Sequence, residues 1–224
     1  MLAIVQSRLS SSRLPGKALL PLGYSTILGL CVDRVCSANL VSKTLVSTSS
    51  DNSDDSIVKF CKKNKMGYFR GSLEDVGKRL LDTALYCQQE RFIRICGDSP
   101  FIDPSIIDEA ISISKTSDFD LVTNVFPRSF PKGQSVEVIK TETMQQICIK
   151  KRSADEKEHA TSYFYDNHHQ YRICSFSSGS DEADSRQCID DEKDYKIAKN
   201  LVDLNETNDL CWKEIQRLWN TQKT

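Results

Sequence analysis

Five short apolar runs, each followed by an amphipathic stretch, most constrain how this chain can fold. Leu2–Val5, Thr44–Ser47, Gly67–Phe69, Phe92–Ile95 and Leu121–Val125 have the length and composition of strands. Thr26–Ser37, Asp54–Lys63, Leu73–Cys87 and Pro104–Lys115 alternate with them and repeat apolar residues at helical spacing. Asp103-Pro104 reads as an N-cap followed by proline at the first helical position. This alternation predicts an α/β chain whose mostly parallel sheet is covered by helices on both faces. The second half is less regular. Ser135–Ile139 alternates like a strand, a helix is expected from Thr141, and another over Asp155–Tyr165. Tyr171–Phe176 and Arg186–Ile189 read as two strands joined by a polar loop, before closing helices at Asp191–Leu201 and Asp209–Trp219, and this half is expected to add a small antiparallel extension to the sheet.

At 224 residues the chain supports one sizeable core, and no linker rich in proline and glycine divides it. Residues 1–224 therefore read as a single domain. A net charge of −1 supplies no overall field for nucleic acid or membrane. The nine cysteines are scattered, with no CxxC pair, which favours reduced thiols over a disulfide framework or a structural zinc. Arg8 interrupts the first apolar run too early for a signal peptide or membrane span, so a cytoplasmic location is expected. The sequon Asn205-Glu206-Thr207 is then irrelevant.

Ligands of open α/β sheets sit at the carboxyl ends of the strands. After the first run come Arg8, Arg13, Gly16 and Lys17, interspersed with Ser10, Ser11 and Ser12, and no acidic residue precedes Asp33. Small residues allow close backbone approach, and cations with hydroxyl and amide donors can surround phosphate oxygens. The loop reads as a triphosphate cradle, though not of the Walker kind, whose spacing is absent; the alternative is a basic surface loop. Asp98 follows the strand FIRI, and Asp190 follows Arg186–Ile189 with Asp194 one turn beyond. Two aspartates brought together would suit magnesium, which takes a few carboxylates and completes its shell with water and phosphate. Otherwise Asp98 is a turn-stabilising residue and Asp190 or Asp194 a helix cap. His168 and His169 read as a solvated turn, and Arg94 as a strand residue with a structural role. Asp118-Phe119-Asp120 fits a metal-binding DxD pattern but opens a strand, so Asn124 at the strand's other end is the ligand-facing candidate.

The string R-x-x-S-S-R-L-P-G-K, followed in order by RGSLEDVGKR (70–79), RICGDSP (94–100), FPKGQSVEV (130–138), EHATSY (158–163) and CIDDEKD (188–194), resembles the blocks of nucleotidyltransferases that make CMP-activated acidic sugars. The likeness is to the SpsF family of spore coat polysaccharide biosynthesis, related to the CMP-Kdo and CMP-sialate synthetases, and covers roughly residues 1–200. It implies a Rossmann-like nucleotide-diphospho-sugar transferase fold. The activity implied is a Mg2+-dependent transfer of CMP from CTP to a sugar, an acidic keto-sugar by analogy, with release of pyrophosphate. It further implies catalytic roles for Arg8, Arg13, Lys17 and Asp98, nucleotide contacts that add Ser10, Ser11, Gly16, Arg70 and Gly71, and metal contacts at Asp98 and Asp190. On the sugar side it implies Arg79, Lys132, Gly133, Glu137 and His159 beside Asn124; for His159 and Lys132 a structural and a solvated role stay open. It also implies a homodimer, whose interface Tyr163, Phe164 and Tyr165 could cover. Cys96, Cys188 and Asp191 depart from threonines usual in these blocks. A degenerate nucleotide-binding relative and a nucleotide-sugar-dependent glycosyltransferase are the alternatives.

Overall fold

Alternation along the first strand sets the layers of the molecule. Ala3 and Val5 enter one apolar cluster, Leu2 and Ile4 another on the opposite face, as a side-chain period of two requires. The computed structural model describes residues 1–11, 13–204 and 210–222. Ser12, the sequon at 205–207 and the expected helix start at Asp209 lie outside the described residues.

In chain order the first half comprises β1 (Leu2–Gln6), the short β2 (Pro21–Leu22) and β3 (Ser25–Thr26), α1 (Ile27–Cys36), β4 (Lys43–Ser49), α2 (Asp55–Lys63), β5 (Gly67–Gly71), α3 (Val76–Tyr86), β6 (Arg91–Cys96) and α4 (Pro104–Ser114). The second half comprises β7 (Leu121–Thr123), β8 (Glu137–Lys140), α5 (Thr141–Cys148), α6 (Ala154–Glu158), α7 (Ser162–Asp166), β9 (Ile173–Ser175), α8 (Glu192–Leu204) and α9 (Trp212–Thr221). Seven strands form one sheet in the order β5-β4-β1-β6-β8-β7-β9. All neighbours are parallel except β8, which is antiparallel to both β6 and β7, and β2 pairs with β3 as a separate antiparallel ribbon. One cluster buries α1, α2 and α4 through Leu28, Ile57 and Ile107; the opposite one buries α3, α5 and α7 through Leu80, Met144 and Phe164. A third joins α8 and α9 to the β2–β3 corner, with Trp219 set edge-on to Phe101 at 6.0 Å.

The helix starts follow from their side chains. Asp75 accepts from the Lys78 amide to cap α3, and Thr26 from Gly29 to cap α1. Asp103 caps α4 with one carboxylate oxygen and accepts from the Trp212 amide with the other at 2.9 Å, which ties the first turn of α9 to the start of α4.

Two expectations for the second half are corrected. The single helix over Asp155–Tyr165 is two, α6 and α7, broken where His159 leaves the helical region at ψ 83. The break sends Phe164 into the core while no residue from Ser153 to His159 is buried. The segment Arg186–Ile189 is not a strand. It makes one isolated bridge, Lys132 to Arg186, because the Gln187 side chain turns inward to Gln134, the Trp212 carbonyl and Gln216 instead of lying over a sheet. All nine cysteines are free thiols, and among the described residues no helix is long and apolar enough to cross a membrane.

Candidate active site

A cavity of about 370 Å³ opens at the carboxyl ends of β1 and β6. Its first wall is the loop after β1, whose path is fixed from outside. The fully buried Asp54 carboxylate accepts from the Leu9 amide at 2.7 Å and the Ser49 amide at 3.0 Å, fastening this loop to the end of β4. Gly16 closes the loop at φ +71, a left-handed turn that suits glycine. Arg8, Ser10, Ser11, Arg13 and Lys17 then line the cavity.

Asp98 and Asp190 form the opposite wall. The Ile189 amide donates to the Asp98 carbonyl at 2.9 Å, so the segment that missed strand geometry is still pinned to the end of β6. Both carboxylates converge on one cation: Lys17 Nζ lies 2.7 Å from Asp98 Oδ2 and 3.1 Å from Asp190 Oδ1, and it also donates to the Ile189 carbonyl. Burial pulls the lysine pKa down, but the two aspartates outweigh it and hold it above its ordinary value. Burial likewise favours the neutral form of Asp190, yet Lys17, Arg13 and Arg186 leave its carboxyl below the usual range. Asp194 accepts from the Asp190 amide and pairs with Arg186, so it positions Asp190 from behind. Two carboxylates aimed at one cationic centre are a donor set that fits magnesium once phosphate and water complete the shell. Among the described residues no group of three or more acidic, histidine or cysteine side chains is placed to hold a metal by itself.

The third wall carries Arg79 of α3, Arg94 of β6, and Glu158-His159 at the end of α6. Arg94 donates to Glu137, and Tyr165 donates to the same carboxylate, which is 1 % exposed. Tyr165 also bonds Thr123 at 2.9 Å. This network orients Arg94 from behind the cavity wall. Tyr165→Phe is expected to cost about 1–2 kcal/mol in urea unfolding, since a buried carboxylate loses a donor; an unchanged midpoint would show that the network does not bear on stability.

The sequence expectation of three unneutralised cations is corrected by tertiary ion pairs. Arg8 meets Glu158, Arg13 lies 3.2 Å from Asp190, and Lys17 takes both aspartates. Of the other expected site residues, His159 lines the cavity, exposed beside Asp155. Arg70 turns away to Asp55 and the carbonyls of Ser49 and Asp51, and Gly71 packs against Arg79. Asn124 is fully buried, donating to the Gln134 carbonyl and accepting from the Val136 amide, so it is a clamp and does not face the cavity. Lys132 is exposed outside the lining, and Gly133 and Glu137 are buried behind it. Phe164 is fully buried in the core and cannot cover an interface, while Tyr165 is partly buried with its hydroxyl bonded internally. Gln6, Arg94 and Glu158 line the cavity without being among the expected site residues; Arg94, inside the RICGDSP block but read there as structural, and Glu158, inside the EHATSY block, left a signal, and Gln6 left none. At the positions of the departing cysteines, Cys96 Sγ is contacted by Arg94 at 3.5 Å and Cys188 Sγ lies 3.9 Å from Asp190.

The chain as a whole has known relatives. A family model described as cytidylyltransferase matches residues 2–223. The spore coat polysaccharide biosynthesis protein SpsF of Bacillus subtilis is 30% identical over 98% of this chain and 94% of its own length. A solved cytidylyltransferase from Leptospira borgpetersenii serovar Hardjo-bovis superposes with a TM-score of 0.92 at 27% identity, covering 99% of this chain and 94% of that one. CMP:2-keto-3-deoxy-manno-octonic acid synthetase complexed with CTP shares the fold, with a TM-score of 0.71 at 14% identity over 91% of this chain and 98% of its own.

Proposed function

The chain belongs to the cytidylyltransferase family, and on that premise we propose that it transfers CMP from CTP to a sugar hydroxyl, releasing pyrophosphate, with magnesium as cofactor. The observation that carries this reading is the convergence of Asp98 and Asp190 on Lys17 at the mouth of the β1 loop. Charge supports it. Five lysine and arginine side chains and three carboxylates line the cavity, and Glu137 behind the wall pairs with Arg94, which leaves an excess of one positive charge. A magnesium ion would add two more, so the site offsets most of the about four negative charges of a nucleoside triphosphate.

In this reading Arg8, Arg13 and Lys17 grip the β- and γ-phosphates, with Ser10 and Ser11 donating along the chain of phosphates. Asp98 and Asp190 would hold the magnesium, which supplies charge neutralisation at the α-phosphate. The sugar hydroxyl oxygen forms its bond to the α-phosphorus while the bond from that phosphorus to the oxygen bridging to the β-phosphate breaks in line, and the hydroxyl proton is lost to water. The same cations stabilise the charge that gathers on pyrophosphate. Positioning carries most of such a reaction, so the exposed His159 is not needed as a base. By analogy with the relatives the sugar is an acidic keto-sugar destined for a polysaccharide, and the enzyme a cytoplasmic homodimer.

Pyrophosphate release with each of four nucleoside triphosphates, against a panel of acidic and neutral sugars, tests the reading. Release is expected only with CTP, an acidic sugar and magnesium, and is lost with chelator. Release of a nucleoside diphosphate from a nucleotide sugar, with no pyrophosphate from any pair, would assign the cavity to glycosyl transfer.

A further inference from the structure

The cavity contains a buried cation with no carboxylate of the described residues in contact, the nearest compensation coming at longer range from Asp54, Glu158 and Asp75. Arg79 is 1 % exposed, its Nη1 donates to the Ser72 carbonyl at 2.5 Å, and its Nε has no partner. Among the described residues it makes no ion pair. Burial, and next the charge of Arg8, pull its pKa down to about 10. A guanidinium held this way stays charged at neutral pH with its burial only partly compensated, and an entering anion would complete the compensation.

The neighbouring Arg8 already holds an anion from within the chain. Its Nη1 donates to the Leu73 carbonyl at 2.7 Å, and its Nη2 meets the Glu158 carboxylate, which comes from 150 residues away. The segment that brings Glu158 is fastened by its ends: Arg152 before it and Ala160 after it are buried, and nothing from Ser153 to His159 is. Little packing therefore opposes withdrawal of the carboxylate.

We propose that Arg8 and Arg79 form an oxyanion seat for the triphosphate, and that Glu158 fills this seat in the ligand-free protein and leaves as the nucleotide enters. A carboxylate and a phosphoryl group accept from guanidinium in the same forked geometry, but the phosphoryl chain brings more oxygens and more charge, enough to engage both arginines. Glu158 thus lowers affinity for the ligand it imitates. The identity of the ligand rests on the function proposed above; the seat itself requires only an oxyanion.

Titration calorimetry of the full chain with pyrophosphate, and separately with CTP, at fixed magnesium and without sugar, tests this. Glu158→Gln alters an exposed side chain and keeps its shape, and is expected to tighten both ligands about tenfold. Adding Arg79→Lys should remove most of that gain, because the two sites are coupled. Unchanged or weaker pyrophosphate binding by the Glu158→Gln protein overturns the proposal, as does failure of both proteins to bind pyrophosphate. Tighter pyrophosphate with no CTP binding leaves the seat standing and removes the nucleotide reading instead.

Discussion

Lys17→Ala is expected to lower turnover about 10³-fold while the protein stays folded, because one ammonium serves both walls of the cavity. Lys17 Nζ lies 2.7 Å from Asp98 and 3.1 Å from Asp190, and without it the two carboxylates face each other across the site. The pyrophosphate end of the reaction also loses a cation at the moment its charge grows. Folding should tolerate the change, since the loop is fastened independently through Asp54 and Asp190 keeps Arg13 and Arg186. Turnover is read from pyrophosphate release and folding from urea unfolding. A turnover within tenfold of the parent, in a folded variant, would remove Lys17 from the chemistry.

Gly133→Ala is expected to cost about 2–4 kcal/mol and to take activity with it, although Gly133 does not line the cavity. Its φ is +105, and a Cβ there would lie 2.6 Å from the Cys188 nitrogen and 2.7 Å from the Gln187 carbonyl carbon. Backbone cannot give way as the end of a flexible side chain can, so residues 187–190 have to shift. That segment carries Asp190. Gly16→Ala provides the contrast. Its φ of +71 is strained too, but no atom lies within 4 Å of the added carbon, so about 1 kcal/mol is expected. Urea midpoints and pyrophosphate release on both variants separate the cases; equal losses would mean that the backbone angle alone, and not the clash with 187–188, sets the effect.

Much of the first half was legible because its strands are continuous apolar runs and its helices begin on side chains that cap them, as at Asp75 and Asp103. The blocks around Asp98 and Asp190 identified the two carboxylates, and the structure brings both to Lys17. Two kinds of information were not local. Arg186–Ile189 alternates like a strand, but Gln187 buries its amide among three partners, and nothing in neighbouring residues reveals that. Charge pairing was the other: Arg8 reads as unneutralised because Glu158 is 150 residues away, and Lys17 because Asp190 is 173 away. Asn124 was placed by its position at a strand end, whereas β7 stops at Thr123 and the side chain turns inward to hold the backbone at 134–136.

Phosphorus-31 NMR of the wild-type protein with CTP, magnesium and the sugar selected by the panel tests the central claim most directly. The expected result is the loss of the three triphosphate resonances with growth, in equal amounts, of one phosphodiester and of pyrophosphate, and none of this in the Lys17→Ala protein. Conversion of CTP to CDP and phosphate, or to free CMP with pyrophosphate and no phosphodiester, would contradict transfer to a sugar.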